Sequence, residues 1–103
     1  SGLTGFVAGG ARSGIAAKGV TINNLLPGKF DTDRLKTTFA ANANKSGKTV
    51  DEVRKAQEAL VPAKRFGTPA EFGAICAFLC SQHAGYMTGQ NILADGGAYA
   101  GTF

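Results

Sequence analysis

The chain has 103 residues and a formal net charge of +4, and it is 44% hydrophobic and 17% charged. This length allows one small domain, and the balance of apolar and charged residues favours a packed α/β core over a disordered chain. The basic residues are scattered, no apolar run reaches membrane-spanning length, and the start lacks the pattern of a signal peptide. We therefore expect a cytoplasmic protein that binds neither nucleic acid nor membrane.

Residues 1–19 allow two interpretations. The apolar and glycine positions recur at helical spacing, and Lys18-Gly19 is a typical helix end. The alternative is a strand over 3–8 followed by a phosphate-binding loop, GGARSGIA, over 9–16. We favour the helix, because the alternative leaves only Ile15 to Lys18 for the helix that must cross the sheet. The glycines are then expected to let this helix pack closely on a neighbouring element.

Residues 20–26, VTINNLL, have the β-branched content and length of a strand. A buried asparagine must satisfy its amide, so Asn23 or Asn24 is expected to tie a neighbouring loop to the sheet. The strand stops at Pro27-Gly28 and runs into a loop that contains Thr32. Since ligands bind at the carboxyl ends of parallel strands, this loop is a candidate ligand site.

Two short polar helices are expected after the loop. Thr32 or Asp33 can cap the first, over residues 34–43. Thr49 and Glu52 have the spacing of a capping box for the second, over residues 50–60. The polar composition and the flanking loops are more typical of a mobile lid than of a core.

A more apolar helix is predicted from Pro69 to Ser81, and its broad apolar face indicates burial on more than one side. Cys76 and Cys80 lie on one face of it, where we expect two buried, reduced thiols. Too few further ligands lie nearby for a metal site. A strand over 90–94 follows, and Asp95 is expected to make the turn after it.

A strand, a crossover and a second strand predict a parallel pair. Parallel sheets are covered on both faces, which a chain with two strands cannot achieve alone. The sequence therefore predicts an α/β fold, as the C-terminal part of a larger doubly wound domain. Such a segment should expose a large apolar surface.

Four motifs, in this order, resemble the short-chain dehydrogenase/reductase superfamily, nearest to the group around the 3-oxoacyl-(acyl carrier protein) reductases. Ile22 to Gly28 resembles the strand motif V-N-x-I-x-P-G. Pro27-Gly28 with Thr32 resembles the nicotinamide loop P-G-x-x-x-T. Residues 65–71, RFGTPAE, resemble R-x-G-x-P-x-E, and Thr88-Gly89-Gln90 followed by Asp95-Gly96-Gly97 resembles the C-terminal strand signature T-G-x…D-G-G.

The resemblance implies that residues 1–103 are the C-terminal segment of one Rossmann-type domain with a parallel sheet. The family binds NAD or NADP and moves a hydride between nicotinamide and a carbonyl or alcohol substrate. The cofactor-binding residues implied here are Pro27, Gly28, Phe30 and Thr32. Pro27-Gly28 would lie against the nicotinamide, while the backbone around Phe30 and the Thr32 hydroxyl would hold the carboxamide.

The resemblance also implies larger-scale roles. Residues 33–61 would be the substrate lid, in which Arg34 is a candidate substrate contact. The final helix and strand, residues 69–97, would form the interface of a homo-oligomer, a dimer or a homotetramer. The N-terminal remainder of the same domain would be an obligatory partner.

The family's catalytic Ser and Tyr-x-x-x-Lys have no counterpart here. Tyr86 is followed four residues later by Gln90, and Tyr99 by Phe103, so neither tyrosine has the required lysine. We therefore expect no catalytic residue within 1–103 and no activity from this segment alone. A non-catalytic dinucleotide-binding or scaffold member of the fold is the alternative, and a self-standing basic binding domain is a third possibility. The substrate, and the choice between NAD and NADP, stay open.

Overall fold

The computed structural model describes residues 2–100. The elements, in chain order, are α1 (Gly2–Arg12), β1 (Asn24–Pro27), α2 (Asp33–Ser46), α3 (Val50–Leu60), α4 (Pro69–Leu79) and β2 (Asn91–Ala94), with 3₁₀ turns at Ile15–Lys18 and Gln82–Ala84. The helical interpretation of the first segment is confirmed, since α1 occupies the residues that the alternative assigned to a strand and a loop. The Ser1 and 101–103 positions lie outside the described residues.

The first helix is shorter than predicted. It ends at Arg12, because Gly14 adopts a left-handed conformation with φ of 101°, and Ile15–Lys18 forms a separate 3₁₀ turn. The expected need for glycine in the packing of this helix is not seen: an added Cβ at Gly10 would lie 3.5 Å from Cδ1 of Ile22, an ordinary van der Waals contact, and added Cβ atoms at Gly5 and Gly9 would meet no atom within 4 Å. The Gly10–Ile22 approach shows only that α1 lies beside the segment that leads into β1.

Strands β1 and β2 pair in parallel, with Asn24 opposite Asn91 and Pro27 opposite Ala94. β1 starts later than predicted, because the preceding residues bind a loop instead of a strand. Asn23 Nδ2 donates to Met87 O at 3.0 Å, and Gln90 N donates to Asn23 Oδ1 at 3.1 Å. These bonds confirm that an asparagine ties a loop to the sheet.

The hydrophobic core cluster lies between α2, α3 and the link that follows them. Its buried members are Phe39, Ala43, Val53, Val61 and Phe66. The rings of Phe39 and Phe66 stack with their centroids 5.6 Å apart. The sequence favoured a lid with little core here, whereas the structure shows that the two helices have a small packed core of their own. They can therefore act as one unit.

Helix α4 is not buried on more than one side in this chain, contrary to the prediction. None of its residues is buried, and the Phe78 side chain is 47% exposed. The radius of gyration, 17.2 Å, exceeds the roughly 13 Å of a compact domain of 100 residues. The chain thus exposes apolar surface on α4, as the sequence predicted.

Cys76 and Cys80 are free thiols, as expected, but they are half-buried and exposed, respectively, instead of buried. Within residues 2–100, no three His, Cys, Asp or Glu side chains come together as potential metal ligands. In the same part of the chain, no helix is both long and apolar enough to cross a bilayer.

Candidate functional site

A pocket of about 510 Å³ opens where β1 ends. Its lining includes all four residues predicted to bind cofactor: Pro27, Gly28, Phe30 and Thr32. The remaining lining residues are Lys29, Arg34, Leu35, Thr38, Pro69 and Phe72. The structure thus brings the predicted loop together with the first turns of α2 and α4. Pro69 and Phe72 of α4 were not predicted as site residues, although Pro69 lies within the motif over 65–71.

Gly28 directly follows β1 and lies in close contact with the residue that follows β2. Its backbone N–H donates to Ala94 O at 2.8 Å. A Cβ on Gly28 would lie 2.7 Å from both Cα and Cβ of Asp95, a separation that real Cβ atoms do not tolerate. A side chain here would push apart the ends of β1 and β2, so the packing of the two strand ends requires this glycine.

The loop beyond Gly28 is held by the link that precedes α4. Gly67 N donates to Lys29 O at 3.0 Å, and Asp31 N donates to Gly67 O at 2.8 Å. The Phe30 ring covers Gly67 so closely that a Cβ there would overlap it. The same ring meets Phe72 of α4 edge-to-face, with centroids 5.5 Å apart. The loop therefore has a defined path and does not depend on a ligand for its shape.

Thr32 caps α2. The sequence predicted either Thr32 or Asp33 as the cap, and the structure shows Thr32 in that position. Its Oγ1 accepts a hydrogen bond from Leu35 N at 3.3 Å. A threonine hydroxyl has a donor proton in addition to its acceptor lone pairs, so the cap leaves the O–H able to donate to a ligand. Among the described lining residues, Lys29 and Arg34 are cationic and none is acidic. The Thr38 hydroxyl, also in the lining, donates to Arg34 O, so the pocket combines apolar walls, the Thr32 hydroxyl and positive charge.

Asp31 binds Arg54 of α3 through both carboxylate oxygens. The Nη1–Oδ1 and Nη2–Oδ2 distances are 3.1 and 3.0 Å. The hydrogen bonds from Arg54 lower the pKa of Asp31 below its ordinary value, and those to Asp31 raise the pKa of Arg54. Both groups are therefore charged at neutral pH. Sequence reasoning missed Arg54, because no local spacing links two residues that are 23 positions apart.

The start of α4 is fixed by a second charged pair. Thr68 and Glu71 form a capping box, and Arg65 binds both Glu71 oxygens at 2.7 and 2.8 Å. These hydrogen bonds lower the pKa of Glu71 to about 2, and those from Arg65 are the largest cause. The motif over residues 65–71 thereby holds the Pro69 edge of the pocket in place.

The turn after β2 is made by Asp95, as predicted. Its carboxylate accepts hydrogen bonds from Gly97 N and Tyr99 N, each at 3.0 Å. Gly96 and Gly97 have φ values of 63° and 89°, a region that favours glycine. The D-G-G signature is therefore a structural turn, and it lies next to the candidate site through the contact of Asp95 with Gly28.

The family model for enoyl-(acyl carrier protein) reductases matches residues 1–99. The chain belongs to the short-chain dehydrogenase/reductase superfamily. It is 40% identical over 99 residues to a 3-oxoacyl-[acyl-carrier-protein] reductase of Vibrio cholerae, covering 96% of this chain and 36% of that protein. It is 37% identical over 101 residues to an acetoacetyl-CoA reductase of Cupriavidus necator, covering 98% of this chain and 36% of that protein.

Solved structures of the superfamily share the fold. An NADPH-dependent reductase involved in bacilysin biosynthesis superposes with a TM-score of 0.85 at 33% identity, over 98% of this chain and 38% of that one. The L-sorbose reductase of Gluconobacter frateurii, complexed with NADPH and L-sorbose, superposes with a TM-score of 0.88 at 25% identity, over 98% of this chain and 38% of that one. The predicted α/β class with a parallel Rossmann-type sheet is thereby confirmed. The chain spans a little over a third of the length of these relatives.

Proposed function

We propose that this chain is the nicotinamide-binding and lid-bearing part of an NAD(P)-dependent oxidoreductase that acts on a carbonyl or alcohol substrate. One observation carries the proposal: Pro27, Gly28, Phe30 and Thr32 line a single pocket at the carboxyl end of a parallel strand. That is where open α/β sheets bind their ligands. Two of the structural relatives are described as NADPH-dependent or complexed with NADPH, which supports the same cofactor class.

The residues present fit a nicotinamide ring. The pocket volume of about 510 Å³ lies within the range of small-molecule sites. Pro27 and Gly28 line the pocket and offer backbone and ring surface against which one face of the nicotinamide can lie. The Thr32 O–H can donate to the carboxamide oxygen while its lone pair caps α2.

A nicotinamide held here would give a hydride to a carbonyl or take one from an alcohol, and the residues of this chain would place the ring. Hydride transfer depends on the distance and orientation of the two reacting carbons. A loop with a fixed path therefore promotes the reaction by positioning, and it needs no acid or base group of its own. Neither Tyr86 nor Tyr99 has a lysine four residues later. We therefore assign the acid–base groups to a part of the domain that lies N-terminal to residues 1–103.

The further assignments follow the same proposal. Residues 33–61 form the substrate lid, with Arg34 at the pocket wall as a substrate contact. The 69–97 segment forms the interface of a homo-oligomer, since Phe78 and Leu93 expose apolar surface there. A cytoplasmic location fits two thiols that are free within the described residues.

Replacement of Thr32 by valine in the full-length protein tests the proposal. The variant keeps the shape of the side chain and loses the hydroxyl, so NAD(P)H should bind about three- to tenfold more weakly. Thr32→Ser should retain the affinity. Thr37→Val is the matched control, because the Thr37 hydroxyl donates to Asp33 O within α2 and does not line the pocket. Unchanged cofactor affinity and turnover in Thr32→Val would contradict the assignment.

A further inference from the structure

Arg54 is the point where the lid helices meet the proposed nicotinamide loop. Its guanidinium binds Asp31 of the loop with two hydrogen bonds, and its Nε donates to Glu58 Oε1 at 3.0 Å, one turn further along α3. Its Cζ also lies 5.2 Å from the centroid of the Phe66 ring. The side chain is held on three sides, so its position is fixed although about a third of it is exposed.

The partners of Arg54 lead directly to the pocket and to the lid core. Asp31 directly precedes Thr32, and its backbone N–H donates a hydrogen bond to the carbonyl oxygen of Gly67. Phe66 is 5% exposed and stacks on Phe39 of α2. One guanidinium therefore contacts the loop, its own helix and an aromatic ring of the core that joins both lid helices.

We propose that Arg54 is a positioning residue that locks the Pro27–Thr32 loop to the lid and so couples nicotinamide binding to the placement of α2 and α3. The inference rests on the proposed function of the loop. A planar, bidentate guanidinium fixes both the distance and the rotation of the carboxylate, and with it the backbone that leads into Thr32. The two side chains of the pair are 30% and 34% exposed, so water screens part of its contribution to the stability of the fold. We therefore assign its main effect to the geometry of the site, and the variants that test it are measured for stability as well as for affinity.

The test uses four variants of the full-length protein, with NADPH and NADH as probes. Asp31→Asn removes the charge and keeps the side chain's shape and the backbone bond to Gly67. Arg54→Met removes the guanidinium, and Arg54→Lys keeps its charge without its planar fork. Glu58→Gln is the matched control, because it weakens the other ion pair of Arg54 and leaves Asp31 untouched.

Asp31→Asn and Arg54→Met should each raise the dissociation constant of the bound cofactor about tenfold, and the double variant should lose no more than either single one. The dissociation constant of Arg54→Lys should lie between those of these variants and that of the wild type. The dissociation constant of Glu58→Gln should stay within about twofold of the wild-type value. If Arg54→Met does not fold, Asp31→Asn decides alone, since it keeps every backbone bond.

Two results would overturn the inference. One is a cofactor affinity of Asp31→Asn that stays within about twofold of wild type; a melting temperature that falls in the same variant would then indicate a purely structural pair. The other is a loss of cofactor affinity in Glu58→Gln as large as the loss in Asp31→Asn. A wild-type protein that binds neither NADPH nor NADH defeats the proposed function itself, whereas normal wild-type binding with unaffected variants defeats only the role of Arg54.

Discussion

A Cβ atom on Gly28 would lie 2.7 Å from the Cα of Asp95. The end of β2 thus fills the space that a side chain at the end of β1 would need. Gly28→Ala in the full-length protein should lower the free energy of unfolding by about 1–3 kcal/mol, because the two strand ends must separate. Urea denaturation measures the change. The cofactor affinity should fall in the same variant, since Pro27 and Phe30 move with the strand end.

Gly73→Ala is the comparison for this prediction. An added Cβ at Gly73 meets no atom within 4 Å in this chain, and the residue lies inside α4, where alanine is the better helix former. Its stability should stay within about 1 kcal/mol of wild type. A Gly28→Ala protein that is as stable as the Gly73→Ala protein would show that the close approach of the strands is not maintained.

Asn23 is the polar link between the start of β1 and the loop before β2. Asn23→Ala leaves Met87 O and Gln90 N without their partner, so the free energy of unfolding should fall by about 1–3 kcal/mol. Asn24→Ala should cost less, because its amide donates to the Asn91 side chain, which can turn to another partner. Thermal denaturation of the two variants checks the order. A larger loss for Asn24→Ala would contradict it.

Glu71 should titrate far below an ordinary glutamate. Its pKa is lowered to about 2, from 4.5, chiefly by the hydrogen bonds from Arg65. A carboxyl whose folded pKa is lowered contributes stability above its unfolded pKa and loses it as the pH falls through the folded pKa. The stability difference between wild type and Glu71→Gln should therefore be constant above about pH 5 and shrink as the pH falls toward 2.

The pair is exposed, so the difference should be small and should shrink further in high salt. The more direct measurement is the NMR titration of the Glu71 carboxyl carbon. Its midpoint should lie well below that of an ordinary glutamate, and Arg65→Met should shift it upward. A midpoint near 4.5 in the wild type would show that the pair does not form in solution.

Local signals in the sequence predicted much of the fold. The capping box of Thr49 and Glu52 and the proline at the start of α4 mark backbone groups that only a helix end leaves unpaired, so their spacing alone located both helices. Ends set by tertiary contacts were less accurate. β1 begins at Asn24 because residues before it bind the loop over 87–90, and that loop has no strand pattern of its own.

The site was predicted where the motif is continuous along the chain. The Pro27–Thr32 loop is such a run, and its four predicted residues line one pocket. Phe72 and Arg54 were not found, because they reach the loop only through the folding of α3 and α4 against it. Buried positions on α4 were overestimated for a related reason, since an apolar helix face indicates burial without showing which chain segment covers it.

The most direct test of the central claim is a crystal structure of the full-length protein with bound NADPH or NADH. The nicotinamide ring should lie against Pro27 and Gly28 in that structure. Its carboxamide should lie within hydrogen-bonding distance, about 3 Å, of Thr32 Oγ1 and of the backbone around Phe30. A nicotinamide ring bound elsewhere, with the Pro27–Thr32 loop making no contact with it, would contradict the account.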